Sequence, residues 1–158
     1  MLTDNTYKHI YRTLEDRIDR DFLYPCYSES ILLERASGYF KLDALMLSFE
    51  GLLKFLDNGG IIHLICSPEL SEDDIAIIKL GHSIDSSHVT KAILRELKVE
   101  RNYSAEDINK LDVICNMIAT GRLVIKIAFK PSQGIYHEKF GVFADAGRRC
   151  LSDVCGCG

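Results

Sequence analysis

Membrane-spanning and secretory segments are missing from this sequence. Although 47% of its 158 residues are hydrophobic, no apolar run approaches the roughly 20 residues that a helix needs to cross a bilayer. Residues 1–5 (MLTDN) are polar overall and do not begin the apolar core of a secretory signal. These absences predict a cytoplasmic protein of one domain, with no membrane contact and a hydrophobic core of its own.

Basic residues do not outnumber acidic ones. Lysine and arginine number 19 against 23 acidic residues, which gives a formal net charge of −4. Proteins that hold nucleic acid without regard to sequence need a broad basic surface to neutralise the phosphates. The composition therefore argues against such a surface and leaves room only for a local basic cleft.

A disulfide framework is also missing. The six cysteines are irregularly spaced, and the chain is longer than the small secreted domains that depend on disulfides. Cys155 and Cys157 supply two zinc ligands at most, because no second pair lies nearby. No phosphate-binding loop or dinucleotide fingerprint occurs. We therefore expect neither a metal nor a cofactor.

The first half of the chain contains the pattern of a β-α-β unit. Residues 31–40 read as a strand, and Asp43 begins an amphipathic helix to Leu56. Asn58-Gly59-Gly60 ends that helix, with glycine where a left-handed residue is needed. The continuous apolar run 61–66 predicts a parallel strand buried on both faces, in which His63 is a satisfied core histidine.

The remaining elements complete an α/β pattern. We predict a helix over 6–20, an irregular segment over 21–30 broken by Pro25, and helices over 71–80, 87–97 and 105–120, the last capped by Ser104. Residues 123–129 and 136–143 read as strands that pair as antiparallel neighbours. This order predicts a three-layer α/β/α sandwich with a mixed sheet.

Candidate site residues occur where these strands end or begin. His137 and Lys139 share one face of a strand, because side chains alternate. An imidazole can attack phosphorus, and an ammonium can stabilise the charge on the phosphoryl oxygens. Ser37 and Ser67 lie at or near strand ends, where open α/β sheets bind ligands. Taken by spacing alone, the histidine and lysine also fit a solvated strand face, and the serines fit turns.

Four ordered blocks extend this pattern into a resemblance. They are RASGYF at 35–40, NGG at 58–60, SPELSED at 67–73 and HEKFGVF at 137–143. Together they resemble the phospholipase D-like domain at the N-terminus of bacterial DEAD/DEAH-box helicases linked with restriction or phage defence. The resemblance covers roughly residues 21–145 and implies an α/β/α fold with a mixed sheet.

The resemblance also implies a chemistry. His137 would attack phosphorus to form a phosphohistidine, Lys139 would bind phosphate, Ser37 and Ser67 would line the pocket, and no metal would be required. A second copy of the motif supplies a general acid and base in this superfamily. Because the chain holds one copy, a homodimer is implied. The substrate would be nucleic acid, DNA above all, and the helicase motor region is missing from this chain.

Two departures from the superfamily pattern leave questions open. Its aspartate usually follows the lysine by five residues, a position that is Ala144 here, with Asp145 one residue later. Asp145 either serves as that acid or opens a turn toward Gly147. We expect residues 1–147 to form a single phospholipase D-like domain. Residues 148–158 read as an atypical tail without strand alternation, either an artificial chain end or a shifted reading frame.

Three functions are therefore weighed. The first is a metal-independent phosphodiesterase or nuclease, a hydrolase with His137, Lys139 and Asp145 as catalytic residues. The second is a catalytically inactive nucleic-acid-binding or protein-docking module of a helicase, which the displaced aspartate and the acidic charge favour. The third, a lipid phosphodiesterase, is disfavoured because the sequence contains neither an amphipathic membrane face nor a basic patch.

Overall fold

The fold is that of an α/β protein with an open, mixed five-stranded sheet and several helices. The computed structural model describes residues 1–12, 14–38, 43–66, 104–128 and 139–154. The sheet order is β3-β2-β1-β4-β5. Neighbours β1 and β2, and β2 and β3, run parallel, whereas β4 is antiparallel to both β1 and β5. The strands are β1 (Leu32–Ser37), β2 (Ile61–Cys66), β3 (Leu123–Ile127), β4 (Lys139–Ala144) and β5 (Cys150–Val154).

The predicted β-α-β unit is confirmed, but its helix is split. Helix α2 covers Asp43–Met46 and α3 covers Phe49–Asp57. The interruption falls at Ser48, whose φ of −125° and ψ of 56° lie outside the helical region. The predicted stop is confirmed: Gly59 has a φ of +82°, and the Gly60 N–H donates to the Phe55 carbonyl at 2.8 Å.

The prediction for the N-terminal segment was wrong. In place of a helix over 6–20, the described residues form a short 3₁₀ helix at Leu2–Asp4, a π-helix at Asp19–Leu23 and helix α1 at Tyr24–Glu29. Asp16 accepts hydrogen bonds from Lys8 Nζ and from the Arg12 N–H, so it stabilises a turn there. Pro25 lies in the first turn of α1, where its missing N–H costs nothing.

One face of the sheet is covered by helices and forms the core. The register places Leu33, Ile62, Leu64, Leu123 and Phe143 on this face, and all of them are fully buried. Helix α4 (Ala105–Ala119) and helices α1 and α3 pack against it through Tyr27, Phe55, Ile114 and Met117. We call this side the packed face.

The opposite face corrects the prediction that β2 is buried on both sides. Ile61 and Ile65 are 37% and 41% exposed, while Ile62 and Leu64, which point to the packed face, are buried. His63 lies on the same exposed face, with its Nδ1 3.6 Å from Glu34 Oε1. It is not a core histidine. A short apolar run does not reveal by itself how many of its faces are covered.

Helix α4 begins as predicted. The Ser104 hydroxyl accepts from the Asp107 N–H at 3.1 Å, and the Asp107 carboxylate accepts from the Ser104 N–H at 3.2 Å. Ile114 is buried, whereas Ile108 and Cys115 are exposed. The helices predicted over 71–80 and 87–97 lie outside the described residues. No helix of the described part is long and apolar enough to cross a membrane.

The predicted pairing of the last two strands was wrong. β3 pairs with β2 in parallel at one edge of the sheet, and β4 pairs with β1. The prediction assumed a hairpin because the two segments are close in sequence. In the structure β4 instead lies between β1 and β5, inside the sheet. Residues 150–154 also form a strand, β5, within the segment predicted to lack one.

Candidate functional site

The candidate site lies at the edge of the sheet where the parallel strands end. Ser37 is the last residue of β1 and Cys66 the last of β2. Because β4 runs antiparallel to β1, its first residue, Lys139, reaches the same edge. The register pairs Ser37 with Cys66 on one side and with Lys139 on the other. We call this region the carboxyl edge.

Ser37 and Lys139 are brought together there as neighbours. Directly paired residues point to the same side of a sheet, with Cβ atoms about 4.5–5.5 Å apart. Ser37 is only 5% exposed and Lys139 is partly buried. A hydroxyl donor beside an ammonium group forms a local positive site that is suited to an anionic oxygen.

Two further predicted site residues lie outside the described residues. Ser67 is the residue after Cys66, and His137 precedes Lys139 by two positions. The roles of both in the site stay predictions from the sequence.

Asp145 lies at the other end of the strands, away from the carboxyl edge. Lys139 and Ala144 are the two ends of β4, and at about 3.4 Å per residue they are separated by roughly 17 Å. Asp145 follows Ala144 and is 4% exposed. The structure therefore does not bring Asp145 together with Lys139.

The Asp145 carboxylate organises the turn between β4 and β5. Its Oδ1 accepts from the Gly147 and Arg149 N–H groups at 2.9 and 3.0 Å. Its Oδ2 accepts from Arg149 Nε at 3.0 Å and from the Leu2 N–H at 3.4 Å. This is the arrangement of a turn-forming acid, the second of the two roles left open by the sequence.

The same contacts determine the charge of Asp145. Burial by itself raises the pKa of this carboxyl group. The N–H groups of Arg149, Leu2 and Gly147 and the Arg149 guanidinium outweigh that effect, so the pKa lies below its usual value. Asp145 is therefore ionised at neutral pH and fully engaged in structural contacts.

Arg35 is a site residue that the sequence reasoning missed. It precedes Ser37 by two positions in β1 and so shares the packed face with it. Its partner in β4 is Gly141, and its side chain is partly buried. The available signal was the alternation of arginine and serine at the end of a predicted strand.

The comparisons with known proteins give no relative. No protein-family model, no curated protein and no solved structure matches this chain. Within the described ranges, no group of three or more histidine, cysteine or acidic side chains is placed to hold a metal ion. Function is therefore inferred from the chemistry of the carboxyl edge.

Proposed function

We propose that this chain is a phospholipase D-like phosphodiesterase domain that cleaves nucleic acid, DNA being the expected substrate. The observation that supports the proposal is the pairing of Lys139 with Ser37 at the carboxyl edge. Open α/β sheets bind their ligands at this edge. An ammonium and a hydroxyl side by side provide the positive charge and the hydrogen-bond donor that a phosphodiester needs.

The proposed reaction proceeds through a covalent intermediate. An imidazole nitrogen of His137 attacks phosphorus, and a nitrogen–phosphorus bond forms as the bond to the leaving oxygen breaks. Lys139 stabilises the charge that builds on the non-bridging oxygens, while Ser37 and Ser67 hold the phosphate. The leaving oxygen takes its proton from His137 of the partner subunit. The partner's His137 then takes a proton from water, whose oxygen attacks phosphorus as the nitrogen–phosphorus bond breaks. This step releases the phosphate monoester, frees the imidazole and restores the proton of the partner's His137.

This mechanism requires two copies of the chain. One chain contributes one histidine to the site, and the reaction needs both a nucleophile and a proton donor. A two-fold homodimer supplies the second histidine by presenting the same edge twice. We further propose that the domain belongs to a helicase-type protein of restriction or phage defence, whose motor region is not part of this chain.

The finer fold belongs to the same proposal. The described helices α1, α3 and α4 contribute side chains to one core on the packed face. The sequence predicts two more helices between β2 and α4, over 71–80 and 87–97. Helices on the second face of the sheet would give the three-layer sandwich of phospholipase D-like nucleases.

The test is hydrolysis of bis(p-nitrophenyl) phosphate and of single- and double-stranded DNA, measured in EDTA. We expect wild type to be active and His137→Ala to lose at least about 10³-fold in rate, since the nucleophile is removed. His63→Ala is the matched control, because His63 lies on the exposed face of the sheet, and it should retain full activity. Undiminished cleavage by His137→Ala would exclude the mechanism.

One observation favours a second candidate function, a binding or docking module without turnover. The Asp145 carboxylate lies at the far edge of the sheet and is engaged by Arg149 and backbone N–H groups. It is therefore not available to orient a catalytic group beside Lys139. This alternative predicts that wild type binds DNA in a salt-dependent manner without hydrolysing the DNA. It also predicts that Lys139→Gln binds DNA more weakly than wild type.

A further inference from the structure

We propose that Arg35 is a second phosphate-binding cation, whose guanidinium shares one oxyanion with Lys139 at the carboxyl edge. The inference rests on the proposed function, because it names the group that would recognise the phosphate of the same site. Its basis is the register of β1 and β4, which places the two cations on one face of the sheet.

The register makes Arg35 and Lys139 diagonal neighbours. Arg35 is paired with Gly141, and Ser37 with Lys139. Diagonal positions on neighbouring strands are roughly 7–8 Å apart, within reach of long side chains. Both head groups can therefore contact a single phosphate, with the Ser37 hydroxyl beside Lys139.

The positions on either side of Arg35 offer its guanidinium no acceptor. Gly141 has no side chain, and Leu64, the partner of Arg35 in β2, is apolar and fully buried.

Within the described ranges, the charge of Arg35 thus has no partner and is available to a ligand. No residue that the structure describes forms an ion pair or hydrogen bond with its side chain. A bound phosphate oxyanion would interact favourably with the guanidinium of Arg35 through charge-assisted hydrogen bonds.

The two cations would contribute differently. A guanidinium can donate two parallel hydrogen bonds to one phosphate, which fixes its orientation, whereas an ammonium acts as a point charge. Arg35 is accordingly expected to hold two non-bridging oxygens, and Lys139 to respond to the charge that grows during attack. Substitution of Arg35 should then raise KM more than it lowers kcat.

Titration calorimetry with inorganic phosphate tests this inference. We expect Arg35→Gln to weaken phosphate binding by at least about 10-fold, which is the usual effect of losing charge-assisted hydrogen bonds. Arg35→Lys should also bind more weakly than wild type, because it keeps the charge and loses the bidentate contact. Arg148→Gln is the matched control: it removes one charge from an exposed arginine in the turn at the opposite edge and should bind like wild type.

The outcomes separate this inference from the proposed function. Loss of hydrolysis in His137→Ala, combined with wild-type phosphate affinity in Arg35→Gln or Arg35→Lys, overturns the role of Arg35 alone. Weaker phosphate binding by both Arg35 variants, in a protein that never hydrolyses phosphodiesters, supports the anion site and overturns the proposed catalysis. If Arg35→Gln does not fold, the affinity of Arg35→Lys decides. Absence of phosphate binding by wild type overturns the inference.

Discussion

Asp145 illustrates at the scale of one residue how position determines role. It lies six residues after Lys139 in sequence, yet at the other end of β4, and its oxygens accept from Leu2, Gly147 and Arg149. These contacts join the N-terminus to the turn between β4 and β5. We therefore expect its substitution to affect stability and to leave the proposed catalysis at the carboxyl edge intact.

This expectation can be tested by comparing Asp145→Ala with Asp112→Ala, a change of an exposed acid on α4. Asp145→Ala should lower Tm by several degrees, because buried N–H donors and the Arg149 guanidinium lose their acceptor. Asp112→Ala should leave Tm nearly unchanged. Differential scanning calorimetry provides both values, and equal Tm values for wild type and Asp145→Ala would contradict the role.

The pH dependence of the same group has a definite sign. The pKa of Asp145 is lower in the folded protein than in the unfolded chain, where an aspartate titrates at about 3.9. Its contribution is therefore fully present above that value and is lost as the pH falls through the folded pKa. As the pH falls from about 5 to about 2, the Tm of Asp145→Asn should decrease less than the Tm of wild type. An identical acid slope in the two proteins would contradict this assignment.

Two glycines show how single elements end. At Gly60 an added Cβ would lie 2.5 Å from the Phe55 carbonyl oxygen and would also strike the Phe55 ring. At Gly121 the space is open within 4 Å, but φ is +72°. Gly60 is therefore constrained by packing, and Gly121 only by its backbone conformation.

These constraints predict unequal costs for the two alanine variants. Gly121→Ala should lower the free energy of unfolding by about 1 kcal/mol, the usual cost of a left-handed non-glycine residue. Gly60→Ala should cost more, about 3 kcal/mol, because the Phe55 backbone and ring must both move. Urea unfolding monitored by circular dichroism measures both values. The order would be refuted if Gly60→Ala proved the milder change.

The elements that could be predicted from the sequence are those with local signals. Gly59 after a helix and the Ser104 cap require only neighbouring residues, and both were found where predicted. Pro25 was misread because proline both breaks helices and begins them. The pairing of β4 with β1 carries no local signal, and proximity in sequence wrongly favoured β3.

At the scale of the whole molecule, the site follows from the sheet. Ser37 was named from the sequence because it lies near the end of a predicted strand, and Lys139 because it shares a strand face with His137. Arg35 was missed, since its relation to Lys139 exists only once the register of β1 and β4 is known. Asp145 was kept as a catalytic candidate because the resemblance implies an acid shortly after Lys139, whereas β4 places the two residues at opposite ends of the strand.

The C-terminal strand gives a prediction for the whole fold. β5 covers the outer side of β4, pairs Leu151 with Phe143, and follows Arg149, the partner of Asp145. A chain ending at Gly147 should therefore unfold at a lower urea concentration and aggregate more readily, since β4 becomes an exposed edge. Equilibrium unfolding and light scattering of both chains test this. An unchanged urea midpoint would indicate that residues 148–158 are dispensable.

The central position of β1 also governs how the molecule is made. Its partner β2 follows closely along the chain, but its other partner, β4, is roughly 100 positions away. A ribosome adding about 5–20 residues per second needs on the order of 5–20 s to produce that stretch. During this interval one edge of β1 is open to incorrect partners. We therefore expect the yield of native protein to depend on the rate of translation as well as on the sequence.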